Sequence, residues 1–237
     1  RGGASYFLWD RLKTNSNVTF KNGETLEESS RVLNRFDVLI ADNIVEHIIE
    51  RVDNSKQLKM SSIVGSTSKY GLETNWNGTF GEYNVITSRG IRRCTAKDLR
   101  STPEKYRVVL SNVMSEHSNE ASKDGTYRVF SRMLIADEMT VCNSSYLPIG
   151  PFEKIEHAER CIKYLKTKFV RSLVKVRAVG IHLACNTYKF VPLQDFTSNS
   201  DIDWSQSISD IDQQLYRKYK LTPEEIAYIE KTIKPME

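Results

Sequence analysis

Three arginines around one glycine, in Arg89-Gly90-Ile91-Arg92-Arg93, are the residues whose type and spacing point most directly to chemistry, and Lys97 follows closely. The guanidinium fork matches guanine O6 and N7 in the DNA major groove as well as phosphate oxygens. A glycine among them suits a hairpin tip from which long cationic side chains project. A second candidate is the small-residue loop from Ser61 to Leu72, which ends in Lys69-Tyr70-Gly71. Gly65 and Gly71 permit close approach to a backbone, and the hydroxyls and Lys69 suit phosphate contact. A third set, Lys163, Lys168 and Arg171, lies broadly opposite an apolar stripe and can face either water or phosphate. The ordinary readings of these three sets are surface loops and a solvated helix face.

Catalytic and cofactor patterns are absent from the sequence. It contains no G-x-x-x-x-G-K-[ST] or G-x-G-x-x-G nucleotide cradle, no H-E-x-x-H, no G-x-S-x-G and no Pro-Pro pair. The four histidines and four cysteines are too scattered to form a local ligand set. A nuclease centre needs clustered carboxylates and a lysine around Mg²⁺. Asp201-Ile202-Asp203 supplies only the carboxylates, and capping the helix after Trp204 is the simpler role for that pair. We therefore expect binding chemistry, with no catalytic residue, no metal ligand and no cofactor held by this chain.

Sequence patterns also indicate which elements must hold these side chains. Candidate strands run from Phe36 to Ile40, Thr79 to Ser88, Tyr106 to Ser111, Thr126 to Ala136 and Val141 to Ile149, with turn-rich joints between them. Asp42 or Asn43 can cap a helix that carries Ile44, Val45, Ile48, Ile49 and Val52 on its core face and leaves His47 on the surface. From Phe152 towards Val176, apolar residues recur every three or four positions. Glutamates come early in that stretch and basic residues late, as the helix dipole favours. Two shorter helices close the chain, the second opening with Thr222-Pro223-Glu224-Glu225. The expected fold is α+β: an irregular, mostly antiparallel sheet with long loops, one long amphipathic helix and a C-terminal helical pair.

Composition narrows the partner. The 237 residues are 39% hydrophobic and 10% aromatic, which suits a packed domain, and no apolar run approaches the ~18 residues of a membrane span. No signal-peptide pattern is read and the cysteines form no C-x-x-C pair, so the expected setting is the cytoplasm, with no membrane partner. The net charge is only +4, but it is segregated. Seven basic residues stand against two acidic ones from Arg89 to Arg107, and seven against none from Arg160 to Arg177. From Asp195 to Glu237, nine acids stand against five bases. Two basic segments in one chain favour a nucleic acid as partner.

The opening run Tyr6-Phe7-Leu8-Trp9 reads as a buried strand with no strand before it, so the chain is expected to be the C-terminal piece of a larger protein. Gly2-Gly3-Ala4-Ser5-Tyr6-Phe7-Leu8-Trp9-Asp10-Arg11 resembles the late catalytic-domain strand of adenine-N6 DNA methyltransferases from bacterial restriction–modification systems, of the type IIG kind. That strand commonly reads G-G-V-C-Y-F-L-W-D-R, and Ala4-Ser5 departs from it. The resemblance continues through Arg35 to Ile40, Ser61 to Leu72, Tyr146 to Gly150 and Tyr164 to Arg171. It extends to Phe190-Val191-Pro192-Leu193-Gln194-Asp195-Phe196, Asp203-Trp204 and Ile211 to Tyr216, leaving roughly residues 76 to 140 uncovered.

The resemblance implies that residues 1–15 are the last strand of a methyltransferase domain and 16–237 a target recognition domain that grips double-stranded DNA. It further implies that S-adenosylmethionine belongs to the intact enzyme, whose Asn/Asp-Pro-Pro-aromatic motif is absent here, and that this region does not transfer methyl groups alone. Lys69, Tyr70, Arg89, Arg92, Arg93, Lys97, Lys163, Lys168 and Arg171 are the expected DNA contacts. The competing expectations are a Mg²⁺-dependent restriction nuclease and a module that docks a subunit of a restriction complex.

Overall fold

A computed structural model describes residues 8, 11–12, 17–21, 28–32, 35–40, 42–53, 56–116, 121–178 and 180–236. The expected opening strand lies outside them except for Leu8, which is exposed, and so does the expected boundary near residue 15. The chain divides into two compact units, Arg1–Glu46 and His47–Glu237.

In the first unit, β1 (Asn17–Lys21) and β2 (Glu28–Val32) pair as an antiparallel hairpin. Arg31 is its buried centre. The guanidinium lies 4.0 Å from the Phe20 ring centroid, pairs with Glu46 at 2.8 Å and donates to the Ile40 carbonyl. Phe36 to Ile40, expected as a strand, forms bends. Its apolar run satisfies the pattern of a short strand, but the Ile40 carbonyl is taken by Arg31 rather than by a neighbouring strand. Asp42 accepts from the Ile44 N–H at 2.9 Å and starts α1 (Asn43–Val52), as its capping chemistry predicts.

The second unit holds two three-stranded sheets. In one, β3 (Tyr83–Thr87) lies between β4 (Gly90–Cys94), antiparallel to it, and β7 (Thr140–Cys142), parallel to it. In the other, β5 (Tyr106–Ser111) lies between β6 (Met133–Ala136) and β8 (Tyr146–Phe152), both antiparallel. Val85, Ile86, Cys94, Val141 and Cys142 from the first sheet share one core with Val109, Ala136 and Tyr146 from the second. The fold is α+β with mostly antiparallel sheets.

The expected long helix is instead two helices, α2 (Ile155–Lys166) and α3 (Lys168–Arg177). Thr167 is extended (φ −60°, ψ 147°) and its hydroxyl accepts from the Val170 N–H. The break is satisfied on both sides. Asp212 accepts from the Lys168 and Phe169 N–H groups, each at 2.9 Å, while Arg171 donates to the Lys166 and Thr167 carbonyls at 3.1 and 3.2 Å. Apolar spacing continues in phase across one extended residue, so periodicity alone cannot reveal the break. Phe152 belongs to β8.

The C-terminal pair forms as expected. Ser207 caps α4 (Ile208–Lys218), and the Thr222/Glu225 capping box with Pro223 opens α5 (Pro223–Thr232). Phe169 stacks on Tyr219 at 5.0 Å between ring centroids and ties α3 to the end of α4.

Candidate nucleic-acid interface

The β3–β4 hairpin places the arginine set. A two-residue turn, Ser88–Arg89, joins Thr87 to its partner Gly90. The Thr87 hydroxyl donates to the Gly90 carbonyl at 2.7 Å and accepts from the Arg89 N–H at 3.2 Å. Gly90 has φ +107°, a conformation open to glycine at little cost. The side chain of Arg89 therefore projects from a fixed tip, exposed and without a partner among the described residues.

β4 is an edge strand, and its pairing register distributes the other two arginines. Arg92 faces Val85 and Arg93 faces Asn84, so the two side chains leave opposite faces of the sheet. Arg93 is exposed and its guanidinium donates to Asn84 Oδ1 at 2.7 Å. Arg92 is half-buried and reaches only the neighbouring Ile91 carbonyl, at 3.4 Å. Beyond β4, the Thr95 N–H and hydroxyl donate to Asp98 at 2.7 and 2.8 Å, close a helical turn and hold the Asp98 carboxyl below its usual range. Lys97 stands exposed on that turn without a partner among the described residues. Among the described residues, none of Arg89, Arg92, Arg93 and Lys97 makes an ion pair with a carboxylate.

The remaining expected contacts are placed differently. Lys69 pairs with Glu104 at 2.8 Å. Tyr70 is 1% exposed and packs in the sheet core beside Arg107, whose guanidinium lies 5.7 Å from its ring. Burial pushes the Tyr70 hydroxyl above its ordinary range. Lys163 donates to the carbonyls of Trp204 at 2.8 Å and Gln206 at 3.2 Å. Lys168 pairs with Glu230 at 2.5 Å. Arg171 is 0% exposed and also donates to the Arg128 carbonyl at 3.1 Å. Burial lowers its pKa to about 10, so it stays charged at neutral pH. The basic segment of α2 and α3 thus spends these cations on the protein itself.

Asp201 and Asp203 diverge. Asp201 pairs with Lys218 at 2.8 Å, while Asp203 accepts from the Ser205 N–H and hydroxyl and from Gln206. No group of three metal-ligating side chains is present among the described residues. Nor is any helix among them long and apolar enough to cross a membrane.

Sequence reading passed over Phe80. Its 83% exposure, beside an edge strand rich in arginine, becomes visible only once β3 is seen to begin at Tyr83 rather than Thr79. Arg100 is a further exposed cation in the same basic segment, its backbone N–H donating to the Tyr70 carbonyl at 3.0 Å. The chain matches no protein-family model, no curated protein and no solved structure.

Proposed function

We propose that this chain is the DNA-recognition region of an adenine-N6 DNA methyltransferase from a restriction–modification system, and that the cationic ridge along β4 meets the duplex. One observation carries the reading. Arg89, Arg92, Arg93 and Lys97 line one edge strand and its two turns without carboxylate partners among the described residues, whereas Lys69, Lys163, Lys168 and Arg171 are engaged by the protein itself. Charge left unneutralised on a rigid hairpin suits a polyanion, and arginine adds the fork geometry that reads guanine.

Tyr70 and Arg171 leave the contact set because both are core side chains. In this reading, methyl transfer and S-adenosylmethionine belong to a catalytic domain acting with this region, and the setting is the cytoplasm. Holding the duplex offsets the few kcal/mol needed to extrude an adenine. The nuclease alternative rests on Asp201 and Asp203, whose carboxylates already serve Lys218 and the turn before α4.

Selection of bound duplexes from a random library tests the proposal. The wild-type chain should enrich one target sequence. Arg93→Ala should relax preference at one position, at a cost of ~1–3 kcal/mol for the matched base. Uniform weakening across sequences would assign Arg93 to phosphate. Failure of the wild type to enrich any sequence would overturn sequence-specific recognition.

A further inference from the structure

Phe80 is held where folding has little use for it. At 83% exposure it contributes almost nothing to the core, yet the residues on either side are tied to β4 and to the turn after it. On one side, the Gly78 carbonyl accepts from the Arg93 N–H at 2.9 Å, and the Trp76 indole N–H donates to the Arg93 carbonyl at 3.1 Å. On the other, Glu82 accepts from the Ala96 N–H at 2.8 Å. The approach is so close that a Cβ on Gly78 would lie 2.5 Å from the Arg93 carbonyl oxygen. A Cβ on Gly81 (φ +130°) would lie 2.0 Å from that of Cys94. The indole serves as the brace and the phenyl ring is left over.

The surroundings of this ring select its partner. Its loop runs along the strand that carries Arg92 and Arg93, next to the turn that carries Lys97, and the nearby exposed apolar side chain Ile91 is 55% exposed on the Arg93 face. Two apolar groups are too little surface for a protein interface core, which needs a contiguous desolvated patch. A lone aromatic ring among unneutralised arginines suits a nucleic acid, which offers phosphates to the cations and a flat base to the ring. A loop already pinned loses little further freedom when the ring is covered.

We propose that Phe80 is a base-stacking contact, set beside the cationic edge of β4 so that its ring lies against a nucleobase while Arg92 and Lys97 hold the adjoining phosphates. This inference rests on the DNA-binding reading above and adds an aromatic contact to the cationic ones.

The test uses fluorescein-labelled random-sequence duplex and the matching single strand, with the wild-type chain, Phe80→Ala, Phe80→Leu and Phe80→Trp. Because the ring is exposed, all variants should keep the wild-type circular dichroism and melting midpoint. Phe80→Ala and Phe80→Leu should weaken binding by roughly 5- to 150-fold, and Phe80→Trp should retain it. Loss on the duplex as well as the strand assigns insertion between base pairs. Loss on the strand alone assigns stacking on a base that is already unpaired. Wild-type affinity in Phe80→Ala overturns the base contact and leaves DNA binding standing, and full rescue by Phe80→Leu overturns stacking. Absence of binding by the wild type overturns both readings together.

Discussion

Arg93 and Arg171 show how one side chain serves two ends. Arg171 has three backbone carbonyls around its guanidinium in a dry interior, so its charge goes to completing the end of α2. Arg93 has one amide oxygen and open water, so its charge remains available. Asp212 completes the other half of the α2–α3 junction, with a consequence for pH. Burial raises its carboxyl from 3.8 to about 6, against the pull of the Phe169 and Lys168 N–H donors. The folded chain therefore keeps a proton that the unfolded chain releases between those values. Stability from this group is fully present below pH 3.8 and is lost as pH rises through about 6. Between pH 4 and 7.5 the stability of the wild type relative to Asp212→Asn should fall by about 2–3 kcal/mol, measured by urea denaturation. Parallel stability curves for the two proteins would remove Asp212 as the source.

At the scale of elements, the β3–β4 hairpin depends on two glycines for different reasons. Gly90 has open space around it, so Gly90→Ala should cost only the positive-φ strain, about 1 kcal/mol. At Gly81 the same strain is joined by a backbone clash with Cys94, and Gly81→Ala should cost about 2–4 kcal/mol. Equal losses in thermal denaturation would refute the clamped loop. Legibility from sequence followed the same division between local and distant causes. The caps at Asp42 and Thr222, strand β5 and the glycine-centred hairpin were readable because neighbouring residues encode them. The break at Thr167 was not, because Asp212, from a distant segment, satisfies the exposed N–H groups. Nor could composition separate spent from free cations. Lys163 and Lys97 are the same residue type, each in a basic segment, and only the fold supplies carbonyls to one of them.

Across the whole molecule, much of the charge segregation seen in the sequence is cancelled internally. Acids of the C-terminal segment meet cations from elsewhere, as in Glu225 with Arg51 at 2.8 Å and Glu230 with Lys168. The cations of the β4 ridge have no such counterpart among the described residues, so they should dominate any encounter with a polyanion. Each phosphate neutralised on duplex DNA contributes about −0.9 to the slope of log K against log salt. The most direct test is that slope, measured by fluorescence anisotropy on duplex DNA with the wild-type chain and with Arg89→Ala/Lys97→Ala. The expected wild-type slope is about −3, from Arg89, Arg92 and Lys97, falling in magnitude by about 2 in the double variant. Binding that is absent or indifferent to salt, or a slope unchanged in the double variant, would contradict a DNA-facing ridge on β4.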